Sequence, residues 1–461
     1  MRVNKVFIIV LACVLVSSCT NVITDKDAKT TPQQYVTLTP KLQQAYSVPS
    51  VAIAVIDGTE VEVQGVYNID DLLQTNTSSL FNIGSISKTV TALAIMDLHA
   101  KGLINIDDPV ENYLTNWSIP DSQFDSNKVT IASLLNHTSG MSMWGVPEFP
   151  ISEKLPTLVE MLTNKTEGDL DIQLAHEPLT KWQYSGGGYA VLQYLIEEVT
   201  KQPFHIYMKE NVLNKLGMQN SSFLLDRSTI RASTTPYDAA GQPMERLAFT
   251  ATSAAGLNAS LKDMISLTNF IIGTGSDNLL MSRTLFESML ETKDISPNYG
   301  FGFESFEIEK NVFVGHSGQN EGWMASMLIS PSTKKAIVIL TNGTNGIRII
   351  DELESIWFCD EFGISCGNDI TLPAKLEPKT IENYKGNYLS ADGSSATLNF
   401  DGSNLFWQTD YGYEFALRPS SINTFYFVAG DTELVFEISN KGTVVGFTRI
   451  RDDDETIFKK R

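Results

Sequence analysis

Ser85 and Lys88 stand three positions apart at the start of an apolar run that extends from Thr89 to Ala100. The run is apolar nearly all round, so it predicts a helix buried on most sides, with Gly102 as its stop. Because residues at i and i+3 share a helix face, the Ser85 hydroxyl and the Lys88 amine are predicted to touch. A serine nucleophile with a lysine base needs this arrangement, and the helix N-terminus adds partial positive charge where an oxyanion forms.

The Ser-x-x-Lys spacing is short enough to recur by chance, and it recurs at Ser332 and Lys335. That second occurrence lies in a Pro-Ser turn with no apolar helix behind it, so it offers no comparable support. Only the occurrence at Ser85 is followed by a predicted helix, and this distinguishes it from the other. Ser85 is therefore the predicted nucleophile and Lys88 the predicted base.

The composition is that of a globular protein and argues against binding to nucleic acid. The chain has 461 residues, of which 42% are hydrophobic and 19% charged, as in an ordinary globular protein of two or three domains. Its formal net charge of −20 argues against a nucleic-acid partner, which requires clustered Lys and Arg. The expected partner is a small-molecule or peptide substrate, and the oligomeric state stays open.

The first residues read as an export signal. Arg2 and Lys5 precede an apolar stretch over 6–16 that is too short to span a bilayer. Val16-Ser17-Ser18-Cys19 then resembles the cleavage site of bacterial lipoproteins, which predicts a lipid-anchored Cys19. Thr20, rather than Asp, next to it favours the outer membrane in a Gram-negative host. Ordinary signal cleavage is the alternative.

The remaining cysteines and the histidines carry no metal pattern. Cys359 and Cys366 are separated by a short loop, so in an oxidising compartment they are candidates for a disulfide worth ~2–3 kcal/mol. The five histidines show no His-x-x-x-His spacing, which argues against a zinc hydrolase. Neither a metal nor a cofactor is expected.

Strand-like runs flank a helical middle region. A hairpin is predicted at 51–66 around Asp57-Gly58, and a second one at 324–340 around a Pro-Ser turn. A helix is predicted from about Ala254 to Ile272. Strands at both ends with helices between them predict an α+β fold, one antiparallel sheet covered by helices. Beyond a Pro-rich stretch at 372–378 the apolar period is two, which predicts a small all-β sandwich or barrel of about seven to eight strands.

Four motifs in a fixed order resemble those of the serine β-lactamase-related hydrolases, which include class C β-lactamases, low-molecular-weight penicillin-binding proteins, D-amino-acid peptidases and esterases. They are Ser85-x-x-Lys88, Leu134-Leu135-x-His137-Thr138-Ser139-Gly140, Tyr184-Ser185-Gly186 and His316-Ser317-Gly318. The resemblance implies a β-lactamase/transpeptidase-like sheet with a largely helical subdomain, and a lipocalin-like C-terminal appendage. The predicted segments are a signal peptide at 1–18, a polar tether at 19–39, the hydrolase domain at 40–372 and the β domain at 373–461.

The resemblance also implies roles for residues. Lys88 and Tyr184 would share the work of the base, each lowering the pKa of the other. Backbone N–H groups of Ser85 and Gln319 would form the oxyanion hole. His316 would replace the family's usual lysine and, with Ser317 and Gly318, line the cleft and hold a substrate carboxylate or polar group. His137 would be structural.

Two departures from the family pattern bear on the substrate. Gly186 stands where β-lactamases usually have an asparagine, and His316 replaces a permanent cation. Both point away from a dedicated β-lactamase. The favoured interpretation is an exported peptidase, carboxypeptidase or esterase that acts on cell-wall peptides, small D-peptides or esters. The alternatives are a class C-like β-lactamase and a non-catalytic envelope sensor or binding protein.

Overall fold

The computed structural model describes residues 33–163, 172–274, 280–364, 372–408, 414–428, 430, 432–451 and 454–461. The predicted signal peptide, Cys19 and Cys366 lie outside these residues. Cys359 is disulfide-bonded. The described residues form two compact units, one within 39–357 and one within 358–461 together with residues 33–38. The division falls within a helix, and the domain boundary at 372/373 stays a prediction.

The described residues of both units contain helices. They are α1 (Gln33–Tyr46), α2 (Ile86–Ala100), α3 (Ile131–Leu135), α4 (Leu158–Leu162), α5 (Gly186–Thr200), α6 (Phe204–Met208), α7 (Arg227–Ala232), α8 (Thr252–Ala255), α9 (Leu261–Ile272), α10 (Arg283–Leu290), α11 (Gly346–Phe362) and α12 (Pro378–Glu382). Within the described chain, none of them is both long and apolar enough to cross a lipid bilayer.

Helix α1 corrects the predicted tether at 19–39, because its first half occupies residues 33–39. Its buried apolar residues, Tyr35, Leu42 and Tyr46, are widely spaced among polar ones, so the sequence pattern missed the helix. Tertiary packing of these residues stabilises it.

The described part of the first unit contains ten strands. They are β1 (Ser50–Asp57), β2 (Glu60–Asn68), β3 (Leu80–Asn82), β4 (Phe149–Pro150), β5 (Leu247–Ala248), β6 (Asn258–Ser260), β7 (Glu304–Ile308), β8 (Asn311–Asn320), β9 (Trp323–Ser330) and β10 (Lys335–Thr341). Six of them form one antiparallel sheet in the order β2-β1-β10-β9-β8-β7. Both predicted hairpins are confirmed, and the pairing of β1 with β10 joins them into one sheet.

Helix α2 is the buried helix that the apolar run predicts. Every residue from Ile86 to Leu98 is buried, so the helix is enclosed by protein on all sides. The predicted helix at 254–272 is partly wrong. Strand β6 interrupts it and pairs with β3, because that long-range pairing outweighs the local helical pattern. Helix α9 then begins after Ser260, whose hydroxyl accepts a hydrogen bond from the Asp263 N–H.

The second unit contains the predicted β domain as a closed antiparallel barrel of eight strands. They are β11 (Gly386–Ser390), β12 (Ser395–Phe400), β13 (Leu405–Gln408), β14 (Glu414–Pro419), β15 (Thr424–Phe427), β16 (Thr432–Ile438), β17 (Val444–Arg451) and β18 (Asp454–Lys460). Tyr388, Phe436 and Phe447 pack against one another in its buried core. An eight-stranded barrel is just wide enough for side chains to fill, and aromatic rings occupy this core.

Candidate active site

The turn before α2 brings Ser85 against the end of strand β8. Gly84 has a φ of +51°, and a Cβ there would lie 2.5 Å from the backbone nitrogen of Gln319. On the opposite side, a Cβ on Gly318 would lie 2.0 Å from the carbonyl oxygen of Ile83. The two backbone segments can approach this closely because both positions lack a side chain. The approach places the Ser85 turn beside Gln319.

The strand geometry indicates where the Gln319 N–H points. The Ser317 N–H donates to the Glu304 carboxylate at 3.2 Å, so it faces the β7 edge and not β9. Alternate residues of a strand direct their N–H groups to the same side, so the Gln319 N–H faces this edge too. Strand β7 pairs with β8 only as far as Gly315, which leaves the edge open beyond it. The two predicted oxyanion donors, Ser85 and Gln319, thus lie next to each other.

Lys88 is buried one turn into α2, with its side chain directed back at the serine. Its Nζ donates to Ser85 Oγ at 3.0 Å and to the Ala254 carbonyl at 2.7 Å. Burial lowers the pKa of Lys88 to about 7, although the Glu304 carboxylate raises it in part. Its amine is therefore substantially neutral near pH 7, which a general base requires.

Tyr184 completes the group around the nucleophile. Lys88 Nζ lies 4.9 Å from the centroid of its ring, and its phenol is hydrogen-bonded to Ser85. Desolvation raises the pKa of Tyr184 well above its ordinary value, and the Ser85 hydrogen bond offsets only part of this rise. The expected mutual lowering of the two pKa values accounts for neither group: burial lowers the pKa of Lys88, and desolvation raises the pKa of Tyr184 instead of lowering it. Tyr184 is a neutral phenol that can pass a proton, and Lys88 is the group poised to accept one.

His316 is enclosed by the protein. Its Nε2 lies 2.8 Å from Tyr299 Oη and its Nδ1 lies 2.6 Å from the Ser317 carbonyl oxygen. These partners fit a neutral ring that donates from Nδ1 and accepts at Nε2. Burial lowers the pKa of His316, and its side chain is only 1% exposed. It differs from the expected cleft-lining carboxylate binder, because both ring nitrogens have partners inside the protein.

Glu304 is the residue that the sequence analysis missed. Its carboxylate accepts hydrogen bonds from the Ser317 N–H at 3.2 Å and from Ser317 Oγ at 3.0 Å. The same carboxylate lies 3.5 Å from Nδ1 of His316. Glu304 directly follows the segment Tyr299–Phe303, whose alternating aromatic residues and glycines give no indication of a carboxylate at the site. Its approach to the His-Ser-Gly motif depends on the register that pairs Glu304 with Gly315.

His137 packs against the ring of Tyr184. Its ring is buried, its centroid lies 4.2 Å from that of Tyr184, and its Nδ1 accepts the Ser185 N–H at 3.1 Å. Burial and the positive charge of Lys88 hold the pKa of His137 well below its ordinary value. This neutral, packed ring fits the predicted structural role.

The second Ser-x-x-Lys occurrence, Ser332 and Lys335, lacks the contact seen between Ser85 and Lys88. Ser332 lies in the turn between β9 and β10, and Lys335 forms an ion pair with Asp57 at 2.5 Å. Ser332 Oγ is 3.5 Å from Ser330 Oγ. The matching sequence spacing therefore does not produce a buried lysine beside a serine at that turn.

Residues 144–146 occupy the space in which a side chain at position 186 would lie. The Gly186 N–H donates to the Trp144 carbonyl at 3.0 Å, and the Gly187 N–H donates to the Met143 carbonyl at 3.2 Å. A Cβ on Gly186 would lie 3.0 Å from the Trp144 oxygen and 3.1 Å from Val146 Cγ1. The packing of this loop therefore leaves little room for an asparagine side chain at position 186.

Gly186→Asn is accordingly expected to lower the melting temperature by several degrees without creating nitrocefin hydrolysis. Overpacking of this kind costs about 1–3 kcal/mol. Gly145→Asn is the matched control, because nothing lies within 4 Å of a Cβ at that position. Thermal unfolding and nitrocefin assays of both variants test this expectation. A gain of nitrocefin turnover in Gly186→Asn at unchanged melting temperature would contradict it.

Comparison with known proteins identifies the family of this chain. A family model described as Beta-lactamase matches residues 36–353. Penicillin-binding protein 4* of Bacillus subtilis (strain 168) is 26% identical over 411 residues, which cover 78% of this chain and 83% of that protein. The chain spans 66% or less of the length of several other curated relatives.

Solved structures share the fold. An octameric penicillin-binding protein homologue from Pyrococcus abyssi superposes with a TM-score of 0.60 at 20% identity, over 93% of this chain and 99% of that chain. A β-lactamase/D-alanine carboxypeptidase from Pseudomonas syringae superposes with a TM-score of 0.56 at 18% identity, over 70% of this chain and 98% of that chain. At these identities the likeness concerns the fold alone.

Proposed function

Since the chain belongs to the β-lactamase family, whose members are serine hydrolases, we propose that it hydrolyses small peptides or esters through an acyl-enzyme on Ser85. The observation that carries the proposal is the hydrogen bond from a buried Lys88, with a pKa of about 7, to Ser85 Oγ beside Gln319. A non-catalytic binding protein would not need a lysine held at this pKa against the serine.

Acylation follows from the geometry. The neutral Lys88 amine takes the Ser85 proton as Oγ bonds to the substrate carbonyl carbon, and the carbonyl oxygen becomes an oxyanion. The N–H groups of Ser85 and Gln319 stabilise that charge. The tetrahedral intermediate then expels an amine or an alcohol, which leaves with the proton that Lys88 accepted, passed through the Tyr184 phenol. An ester on Ser85 remains.

Deacylation repeats these steps with water in place of the serine hydroxyl. Water attacks the ester carbonyl while Lys88 accepts its proton, directly or relayed by the Tyr184 phenol, and the C–O bond to Ser85 breaks as Oγ takes that proton from Lys88. The products are a carboxylic acid and free enzyme. The same groups therefore serve both half-reactions.

β-Lactams are a second substrate class, because the curated relative is named a penicillin-binding protein. We propose that β-lactams acylate Ser85 but turn over slowly, since Gly186 offers no side chain and His316 no free cation. The test compares nitrocefin with a D-Ala-D-Ala peptide and a short-chain p-nitrophenyl ester. Nitrocefin hydrolysis with kcat/KM in the upper part of the usual ~10⁴–10⁸ M⁻¹s⁻¹ range, with peptide and ester ignored, would show a β-lactamase instead.

The pH dependence of acylation is expected to follow Lys88. Below about pH 7 its amine is protonated and cannot accept the Ser85 proton, so kcat/KM should fall about tenfold per pH unit. Above this pH the rate should level off. The measurement is hydrolysis of an uncharged p-nitrophenyl ester between pH 5 and 9, with the Ser85→Ala rate subtracted as background. A rate independent of pH below 7 would rule out this base.

We further propose that the protein is exported and anchored by lipid on Cys19, which lies outside the described residues. Support comes from the short apolar stretch followed by Val16-Ser17-Ser18-Cys19. Cys19→Ala is expected to leave the protein soluble or uncleaved after cell fractionation. A processed Cys19→Ala protein that still sediments with membranes would refute the anchor.

A further inference from the structure

The protein places its own carboxylate where a substrate carboxylate was expected to bind. Glu304 accepts both the N–H and the hydroxyl hydrogen of Ser317. The same carboxylate lies 3.5 Å from the Nδ1 of His316. These are the donors of the His-Ser-Gly segment, and a substrate anion would have to displace Glu304 to reach them.

Glu304 also acts on the reacting groups. Its charge raises the pKa of Lys88 and that of Tyr184, so both lie within its electrostatic reach. Its side chain is 37% exposed, so a ligand can approach it from the solvent side. The carboxylate therefore affects the potential at the place where the scissile carbonyl must lie.

Neither cationic residue of the site is a permanent counter-charge. Burial lowers the pKa of Lys88 to about 7 and also lowers the pKa of His316. A cleft with one carboxylate and no permanent cation among these groups repels an anion and attracts an ammonium group. The His-Ser-Gly motif alone suggested the opposite preference.

We propose that Glu304 is a specificity-determining residue that makes the site select substrates with an ammonium group near the scissile carbonyl. It rejects substrates that carry a carboxylate there. This inference rests on the proposed acyl-enzyme function of Ser85. The favoured substrate class is a peptide, amide or ester of an amino acid with a free amine, rather than a substrate of a carboxypeptidase.

The experiment uses three p-nitroanilides of D-alanine that differ only in charge: the free amine, the N-acetyl form and the N-succinyl form. At pH 7 the wild-type kcat/KM should fall in that order. In Glu304→Gln the ratio of free amine to succinyl substrate should fall about 10- to 100-fold, because one charge–charge interaction at short range is removed. Glu307→Gln is the matched control, since Glu307 is an exposed residue of the same strand. It should keep the wild-type ratio.

Salt provides a readout that a purely structural role would not change. The wild-type preference should shrink between low salt and 1 M NaCl, while that of Glu304→Gln should stay flat. The wild-type series tests the proposal even if the variant fails to fold. A wild-type preference for the succinyl substrate, or an equal loss on all three substrates in folded Glu304→Gln, would overturn it. Labelling of Ser85 by an uncharged fluorophosphonate tests the proposed function separately, because it does not depend on substrate charge.

Discussion

Ser85→Ala is expected to abolish both turnover and covalent labelling by fluorophosphonate or fluorescent penicillin. Loss of the nucleophile in an enzyme of this kind costs about 10⁶-fold in kcat. Lys88 Nζ donates to Ser85 Oγ at 3.0 Å, so the substitution removes the hydroxyl that this amine is placed to activate. The measurement is the hydrolysis of a p-nitrophenyl ester together with mass-spectrometric mapping of the labelled peptide.

The chain supplies its own control for this experiment. Ser332→Ala removes the serine of the second Ser-x-x-Lys occurrence, which lies in a hairpin turn with its lysine bound to Asp57. It should change neither the rate nor the labelling. An acyl adduct mapped to Ser332 or Ser317 would disprove the assignment of the nucleophile.

Lys88→Met and Tyr184→Phe are each expected to lower kcat/KM by about 10²–10⁴-fold. The double variant should be little worse than either single one. Both groups serve one proton transfer at Ser85, and residues that act as a unit show strongly non-additive losses. The measurement is a double-mutant cycle on ester hydrolysis at pH 8, where the wild-type Lys88, with a pKa of about 7, is mostly neutral.

Thermal unfolding separates catalytic loss from loss of fold in this cycle. Because burial lowers the pKa of Lys88, the folded state disfavours its charged form, and Lys88→Met is expected to raise the melting temperature at neutral pH. Lys335→Met is the control for removal of a lysine at the same spacing, and it should leave kcat/KM unchanged. Losses that multiply in the double variant would show that Lys88 and Tyr184 act independently.

The α+β class, the two hairpins and a small all-β domain of about seven to eight strands could all be predicted from the sequence. Each is announced by a local pattern, either an apolar run with a glycine stop or an alternation of period two around turn residues. Helix α2 is the clearest case, because a run that is apolar on all sides can only be stable when it is enclosed. The order of the four motifs then identified the family that the matching model also shows.

Local patterns failed where a distant partner decided the outcome. Strand β6 interrupts a predicted helix because it pairs with β3 across the chain. Helix α1 begins inside the predicted tether, where Tyr35 is buried among polar residues that show no local apolar pattern. In both places the energy of tertiary packing exceeds the local preference of the segment.

The residues available for chemistry at this site, Ser85, Lys88, Tyr184 and the His316 motif, can be read from the residue types and their order. Their charge states and their neighbours depend on the packing of the folded chain. Burial sets the pKa of Lys88 to about 7 and raises that of Tyr184, and neither effect can be read from residue spacing. The register that pairs Glu304 with Gly315 brings a carboxylate to Ser317. The physical reason is that desolvation and charge–charge distances depend on how remote segments pack, whereas a motif records only the types and the order of residues.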